Sequence, residues 1–513
     1  MLQHLKGKCI ANKTRYYTIL AGTFLCGIIA HGFMFFNKIS FNDDIACLFG
    51  SDDSVLICSG RWFLWFLQKL VNKLFYRTYS IPVYSGILSL VLISINAIII
   101  SELFQIRSKI NLFCLGGIMV VMPCVTSLFA FMYCAPYYLI GETMAIVGVY
   151  LLVWGGRKWY WIITGMLFIS CSLGAYQAYF AFVLCILILY IMLDIIRNGS
   201  LAWSKYIKVC LKYLLYTVLS LIMYYVLTLL MCQWKNVDLF AYAGLSELGN
   251  TPLSTYLSRV PLAYKLFFSP AGTYNMYMFK MIYVYRFILL VLAVSIICII
   301  DRLKKMSSRI QLIVLILLFP MALNILYVIN EYRWIHSLQA HSQTMIFVAL
   351  IVFLENIDVT IKKINIKKHC IYLGYAILAI SIVMWTRYAN VLYLKAILNQ
   401  TQTINWDNRL AQRIESVEGY SDELPVAYVN RGALSDKNMI HMHEFDAAYT
   451  IPYNWEFLTN YSWKTFMAYW CNFNPVVVED VSRFEQMQEV IDMPSYPDDG
   501  SIKIIDDTIV VKF

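Results

Sequence analysis

Windows of about 20 consecutive apolar residues recur along the first 388 residues of this chain, and they constrain its fold more than any other feature. An α-helix of that length crosses the roughly 30 Å hydrocarbon core of a bilayer. We count about eleven windows, near residues 17–36, 82–101, 112–132, 136–155, 159–174, 177–196, 209–231, 282–300, 310–329, 340–357 and 370–388. The sequence therefore predicts an all-α polytopic membrane protein.

Composition and charge exclude other classes. With 60% hydrophobic and 14% charged residues, the chain is too apolar for a water-soluble globule. The net charge of +10 is unevenly distributed, because residues 389–513 contain 9 Lys and Arg against 18 Asp and Glu. The basic excess belongs to the apolar part, where it suits membrane topology and anionic lipid. We therefore expect the lipid bilayer as a partner and no nucleic acid.

The distribution of the cations predicts an orientation. If the amino terminus is cytoplasmic, the inner segments contain twenty Lys and Arg residues, whereas the short outer loops after spans three, five and nine contain only Arg333. Positive residues accumulate on the cytoplasmic side of membrane proteins. We predict a multi-pass protein of the cytoplasmic (inner) membrane with the amino terminus inside and everything after residue 388 outside.

The change in composition near residue 388 predicts two domains. Residues 1–388 would form the transmembrane domain and residues 389–513 a small extracytoplasmic α/β domain. The second part is more polar and contains strand and helix patterns, namely LPVAYVN, RFEQMQEVI and SIKIIDDTIVVKF.

The loop after the first span has the residues best suited to chemistry. Asp43 and Asp44 are adjacent, and Arg61 follows at the start of an amphipathic segment that ends at Arg77. Neighbouring carboxylates can take a proton or hold a divalent cation, and an arginine can neutralise a phosphate. The polar residues of this segment recur every three or four positions, which predicts a helix lying in the interface with Gln68 on its polar face. Solvated loop charges remain the alternative.

Further polar residues on the predicted outer side are candidates for binding a substrate. Glu142 lies one turn into a span, where burial of an isolated carboxylate is energetically unfavourable. It either lines a cavity or has a structural role. Tyr176 and Gln177 follow Gly174 at a predicted turn between two spans, where they could bind sugar hydroxyls or satisfy the backbone of the turn. His341 follows Arg333 on the outer side.

The cysteines show no metal-binding spacing. Cys47 and Cys58 share the first outer loop, and the sequence leaves open whether they form a disulfide or remain thiols.

Several motifs in this order resemble the bacterial glucosyltransferase II family. They are NDD (residues 42–44), GRW (residues 60–62) and YQ (residues 176–177) at a helix turn, after a first span. That family comprises multispanning GT-C-type glycosyltransferases related to the phage O-antigen glucosyltransferases, and the similarity covers roughly residues 15–400. It implies a catalytic carboxylate in the first outer loop, the position that Asp43 and Asp44 match. It also implies cations for the donor phosphate, for which Arg61 and Arg333 are the candidates.

The resemblance implies transfer of a hexose, with glucose the first choice, from a polyprenyl phosphate to a surface glycan such as O-antigen, teichoic acid or capsule. One aspartate would take the proton of the acceptor hydroxyl, or the two would hold Mg²⁺ or Mn²⁺; no other cofactor is predicted. A lipid-sugar synthase and a flippase would supply the donor. The sequence has no phosphate-binding GxxxxGK[ST] loop for a nucleotide sugar.

Two alternatives share these features. A polysaccharide polymerase would use similar lipid-linked substrates with the same topology. A lipid-linked oligosaccharide flippase or transporter is less favoured, because internal repeats or paired broken helices are typical of transporters and none is evident. A non-catalytic surface protein would not need the carboxylate pair.

Overall fold

The structure is a computed structural model of the 513-residue chain. It describes residues 12–49, 53–75, 78–155, 158–199, 201–239, 251–270, 280–330, 335, 337–357, 364–430 and 462–513. Contacts divide the chain into two compact units. The helical unit comprises Met1–Lys38 and Phe49–Asn390, and the sheet unit comprises Ile39–Leu48 and Val391–Phe513.

The described helices, in chain order, are α1 (Lys13–Phe36), α2 (Asn42–Ala46), α3 (Asp53–Cys58), α4 (Trp62–Phe75), α5 (Pro82–Leu103), α6 (Lys109–Val121), α7 (Pro123–Leu128), α8 (Ala135–Trp154), α9 (Trp159–Ala175), α10 (Tyr179–Asn198), α11 (Trp203–Lys235), α12 (Leu253–Phe268), α13 (Met281–Arg302), α14 (Met306–Leu323), α15 (Ile325–Ile329), α16 (Thr344–Asn356), α17 (Ile364–Glu415), α18 (Trp463–Trp470), α19 (Ser482–Glu485) and α20 (Gln488–Ile491). The strands are β1 (Val426–Val429), β2 (Ile502–Ile505) and β3 (Thr508–Lys512). Short 3₁₀ turns cover Phe129–Phe131, Ser337–Gln339 and His341–Gln343.

Nine helices among the described residues are long and apolar enough to cross a membrane. They are Lys13–Phe36, Pro82–Leu103, Lys109–Phe131, Ala135–Trp154, Tyr179–Asn198, Trp203–Lys235, Met281–Arg302, Met306–Leu323 and Lys367–Glu415. The predicted spans near residues 159–174 and 340–357 fall on shorter helices, α9 with 17 residues and α16 with 13. The prediction of a polytopic helical membrane protein is confirmed, and the count of eleven crossings stays a prediction.

The predicted break within the long apolar stretch after Trp159 is confirmed. Helix α9 ends at Ala175, and α10 begins at Tyr179. Tyr176 has an extended backbone, with φ −159° and ψ 116°, which no α-helix accommodates. The turn that follows α9 therefore presents Tyr176 and Gln177 outside regular helix.

Helix α4 covers most of the segment predicted to lie in the interface. Its exposed side chains include Phe66, Leu70 and Leu74, whereas Gln68 is only 5% exposed. Lys69 and Lys73 are exposed as well, so the exposed surface of α4 carries both basic and apolar side chains, and its place in the interface stays a prediction. Exposed apolar side chains are unfavourable in water but not against lipid.

The sheet unit contains a three-stranded sheet with strand order β1-β3-β2. Strand β1 pairs with β3 in parallel, and β2 pairs with β3 as an antiparallel hairpin. The hairpin turns at Asp506 and Asp507, which have φ of 46° and 52°, a conformation that Asp tolerates in two-residue turns. The predicted strands LPVAYVN and SIKIIDDTIVVKF are thus confirmed, and RFEQMQEVI forms the short helices α19 and α20.

Both faces of the sheet are covered. Ile509 and Val511 pack in one cluster with Leu410, Ile414 and Trp463, on the face covered by the end of α17 and by α18. Val510 points to the other cluster, which contains Phe484 and Val490 of α19 and α20. Successive residues of a strand face opposite sides, so β3 is buried along its length.

Ile509 tests this arrangement. Ile509→Ala should destabilise the sheet unit by about 2–4 kcal/mol, because Ile509 is fully buried in the central strand. Hydrogen exchange of peptides from residues 502–512 in the full-length, detergent-solubilised protein should show faster exchange. Ile491→Ala is the matched control, since Ile491 is 51% exposed. Equal exchange in the two variants would contradict the described core.

Candidate functional site

Arg61 follows a tight helix end that only glycine forms easily. Gly60 has φ +71°, and its N–H donates to the Ile57 carbonyl oxygen at 2.9 Å. The Arg61 N–H donates to the Leu56 carbonyl oxygen at 2.8 Å. These two bonds form the Schellman motif that ends α3, and α4 starts one residue later at Trp62. The GR dipeptide of the GRW motif thus fixes where the Arg61 side chain leaves the backbone.

The GRW motif contacts the predicted turn after α9. A Cβ atom built on Gly174 would lie 2.5 Å from Cε2 of Trp62, so only glycine admits the indole ring at this position. Trp62 is 9% exposed. Trp62 of the GRW motif and Gly174 near the end of α9 are 112 residues apart in sequence, and they meet inside the helical unit.

Gln177 connects the same two segments through hydrogen bonds. Its Nε2 donates to the Ser59 carbonyl oxygen at 2.7 Å and to the Tyr224 hydroxyl at 3.0 Å. The Tyr224 hydroxyl in turn donates to the Gly60 carbonyl oxygen at 3.3 Å. Of the two roles proposed from sequence for Gln177, the contacts favour backbone satisfaction, although the backbone belongs to the loop before Arg61. Gln177 therefore connects the turn after α9 to the loop that precedes Arg61.

The Arg61 side chain lies among tyrosines. Its Nη1 donates to the Tyr138 hydroxyl at 3.1 Å, and its Cζ lies 5.5 Å from the centre of the Tyr176 ring. The rings of Tyr138 and Tyr176 meet edge to face at 5.0 Å. A guanidinium over an aromatic face gains cation–π attraction, which is strongest away from water. This packing restricts the guanidinium to one place.

Glu142 and His341 form a buried pair beside the tyrosines. Nδ1 of His341 lies 3.5 Å from Oε2 of Glu142, and their side chains are 3% and 8% exposed. The His341 ring packs edge to face on Tyr179 at 5.1 Å, and the Tyr179 hydroxyl donates to the Tyr138 carbonyl oxygen at 2.8 Å. The histidine gives the Glu142 carboxylate a partner within an apolar bundle, where an isolated carboxylate is costly.

We call this set of residues the Arg61 cluster: Arg61, Trp62, Tyr138, Glu142, Tyr176, Gln177, Tyr179, Tyr224 and His341. It brings together five residues that the sequence suggested, namely Arg61, Glu142, Tyr176, Gln177 and His341. Arg333 lies outside the described residues, and its role stays a prediction.

Sequence reasoning missed Tyr138, Tyr179 and Tyr224. A signal existed for Tyr138, which precedes Glu142 by four residues on α8, a spacing that places two side chains together on a helix. Tyr224 is one of many tyrosines in an apolar span. Its sequence position does not distinguish it.

The Arg61 cluster has polar atoms available for a ligand. Among the described residues, Nε1 of Trp62 and Nε2 of His341 are buried without a hydrogen-bond partner. Buried polar atoms are nearly always satisfied in folded proteins, and exceptions occur at functional sites. Together with the guanidinium, the cluster can hold an anionic group and a hydroxylated ligand beside aromatic rings.

Asp43 and Asp44 belong to the sheet unit, in the first turn of α2. Asp44 is fully buried, and Asp43 is partly exposed. Helix α2 is held by the Ser462 hydroxyl, which donates to Oδ1 of Asn42 at 3.1 Å, and by packing of Ile45 on Phe466. Carboxylates are favourable at the start of a helix because the backbone N–H groups there carry partial positive charge. The NDD motif thus forms a short, anchored helix, and Asp43 is its accessible carboxylate.

The two aspartates fit a divalent cation only in combination with a substrate. The described residues include no group of three or more His, Cys, Asp and Glu side chains placed to hold a metal. Mg²⁺ is commonly held by one or two carboxylates with water and substrate phosphate completing its octahedron. Asp43 and Asp44 suit that arrangement, and a purely protein-bound metal centre is not formed by the described part of the chain.

Asp407 and Cys471 of the sheet unit are both affected by burial. Asp407 is fully buried, and neither carboxylate oxygen has a hydrogen-bond partner among the described residues, a costly arrangement with no sequence signal. Burial, with a smaller contribution from the Asp407 carboxylate, raises the pKa of the Cys471 thiol to about 12.

The fold and the cluster define a polytopic membrane protein with a polar, arginine-containing site among its apolar helices. The chain belongs to the glucosyl transferase GtrII family, whose model matches residues 32–353. The matched region contains all eight candidate residues, including Asp43, Asp44 and Arg333, and the suspected family is confirmed. The family makes the protein a glycosyltransferase of surface-glycan modification. No curated protein and no solved structure matches the chain.

Tyr138 tests whether the cluster positions Arg61. Tyr138→Phe removes the hydroxyl that accepts from Arg61 and should lower turnover about 10-fold or more, since a hydrogen bond to a charged group contributes roughly 1.5–3 kcal/mol. Glycosyl transfer should be measured with protein matched for membrane expression. Tyr150→Phe on the same helix α8 is the control and should retain wild-type turnover. Unchanged turnover in Tyr138→Phe would show that this bond does not serve the reaction.

Proposed function

We propose that the protein transfers a glucosyl residue from a polyprenyl-phosphate sugar to a cell-surface glycan on the outer face of the cytoplasmic membrane. The observation that carries this proposal is the Arg61 cluster, a guanidinium held by tyrosines inside the helical unit of a GtrII family member. A charged phosphate on a lipid needs a cation that is fixed within reach of the bilayer, and Arg61 meets that need.

An apolar cavity in the same unit supports a lipid-linked donor. It has a volume of about 230 Å³ and lies between α10, α12, α13, α14 and α16, with Met192, Phe267, Leu292 and Phe353 among its lining. The cavity lining includes Ala349 of α16, which follows His341 of the preceding 3₁₀ turn by eight residues, or about 12–14 Å along the helix axis. An isoprenoid chain whose phosphate meets the Arg61 cluster could extend in this direction without entering water.

The proposed reaction is an inverting displacement. The acceptor hydroxyl oxygen attacks the anomeric carbon of the sugar while the bond from that carbon to the phosphate oxygen breaks. Asp43 or Asp44 takes the hydroxyl proton, and Arg61 neutralises the charge that develops on the departing polyprenyl phosphate. If Mg²⁺ or Mn²⁺ is bound by the aspartates, it shares the neutralisation of the phosphate.

Orientation and partners follow from this donor. We propose a cytoplasmic amino terminus, an outer carboxyl terminus and a GT-C-like arrangement of eleven crossings that includes α9 and α16. The charge distribution supports this orientation, because it leaves the NDD loop on the side with few cations. A lipid-sugar synthase must charge the carrier, and a flippase must deliver it to the outer leaflet.

The carboxylates give the sharpest mutational test. Asp43→Asn or Asp44→Asn should lower transfer about 10²-fold or more, as expected when a general base or a metal-binding carboxylate becomes neutral, and the two losses need not be equal. The amide has nearly the same shape, so membrane insertion should be unchanged. Transfer should be followed by the release of polyprenyl phosphate and the gain of sugar on the acceptor.

Asp507→Asn is the control for these variants. Asp507 is exposed in the hairpin turn at positive φ, a conformation in which Asn is at least as favourable as Asp. This variant should transfer sugar at the wild-type rate. Wild-type activity of the Asp43→Asn, Asp44→Asn double variant would exclude the carboxylate role.

Analysis of the surface glycan distinguishes transfer of a single sugar from polymerisation. Cells that lack the chain should lose a side-branch glucose while the length of the glycan backbone stays the same. Shortened backbones with normal branches would instead identify a polymerase.

A further inference from the structure

Three lysines of α11 share one face near the start of the helix. Lys205, Lys208 and Lys212 are separated by three and four residues, so they lie within about 60° of one another around the helix axis. All three are exposed. Val209 and Tyr216 fall on the same face, between and beyond the lysines.

This face borders a cavity of about 380 Å³. Leu152 near the end of α8 and Ile162 near the start of α9 form the opposite wall. No carboxylate is among the described residues that line the cavity. Lys212 Nζ lies 4.2 Å from the centre of the Tyr213 ring, which holds its ammonium group close to the helix. The cavity thus combines a strongly positive side with an apolar side.

The cavity lies where α11 enters the apolar part of the bilayer. From Tyr213 to Trp234 the helix has no Asp, Glu, Lys or Arg over 22 residues, about 33 Å of helix, which matches the hydrocarbon thickness. Lys212 directly precedes this segment, and Lys208 and Lys205 lie about one and two turns further out. Their ammonium groups therefore fall at the depth of lipid headgroups.

We propose that this lysine pocket binds the headgroup of an anionic phospholipid. The three ammonium groups contact the phosphate, and one acyl chain lies along Leu152, Ile162 and Val209. Ile207 and Leu211 on the neighbouring part of α11 are 50% and 57% exposed, which is the surface expected for a helix in contact with lipid at this level.

The pocket is separate from the Arg61 cluster. Lys208 and Tyr224 are sixteen residues apart on α11, a distance of about 24 Å along the axis. The bound lipid is therefore a structural ligand on the other side of the membrane from the proposed donor, and its recognition does not depend on the transfer reaction.

The test measures which lipid the full-length protein retains. The protein is equilibrated in mild non-ionic detergent with equal amounts of phosphatidylglycerol and phosphatidylcholine, washed, and analysed for bound lipid by mass spectrometry. Wild type should be enriched in phosphatidylglycerol about tenfold or more, and the Lys205→Gln, Lys208→Gln, Lys212→Gln variant should lose that enrichment. Equal enrichment in wild type and this variant would overturn the proposal.

Two further variants distinguish lipid binding by the lysine pocket from a general effect of positive charge. Lys109→Gln, Lys304→Gln, Lys305→Gln removes the same number of exposed cations elsewhere and should retain the enrichment; loss of enrichment here would also overturn the proposal. Replacement of the three pocket lysines by arginine keeps the charge and should keep the enrichment, which covers the case in which the glutamine variant does not fold. Displacement of phosphatidylglycerol from wild type by excess inorganic phosphate would identify a free-phosphate site instead.

Discussion

Two hydrogen bonds from the Gln177 amide, to the Ser59 carbonyl oxygen and to the Tyr224 hydroxyl, determine where the charged group of the helical unit lies. They connect the turn after α9 to the loop that precedes Arg61, and the absence of a side chain on Gly174 lets Trp62 pack against the same turn. An arginine in an apolar bundle is unfavourable unless its position is fixed and its donors are satisfied. Tyr138 accepts a hydrogen bond from Nη1 of Arg61, and the Tyr176 ring lies beside the guanidinium, so the position of the charged group is restricted.

The chemistry of the proposed reaction is divided between residue types with different requirements. The phosphate contact needs a permanent cation in aromatic surroundings, which the Arg61 cluster provides. The acceptor hydroxyl needs an accessible carboxylate to take its proton. Asp43 on helix α2 is partly exposed and suits this role, whereas Asp44 is buried. The buried Glu142–His341 pair extends the polar surface of the cluster and leaves Nε2 of the histidine for a ligand. The family match spans all of these residues.

Much of the fold could be predicted because it depends on local patterns. Apolar windows identified the long helices, Gly174 marked the turn between α9 and α10, and alternating residues predicted the strands on either side of Asp506 and Asp507. The packing of the site could not be predicted in this way. Gln177 bonds a loop more than 100 residues away, and Tyr224 resembles any tyrosine in a span. Long-range contacts of this kind have no signature in a single sequence.

The proposed reaction requires a lipid-linked sugar donor, so the identity of the donor is the property to measure. Purified protein in lipid vesicles should be given polyprenyl-phosphate glucose or UDP-glucose, each labelled in the sugar, with the surface glycan as acceptor. We predict label transfer from the polyprenyl-phosphate donor, with one polyprenyl phosphate released for each sugar transferred, and a large loss of that transfer in Arg61→Ala. Transfer from UDP-glucose in the absence of any lipid-linked sugar would contradict this prediction.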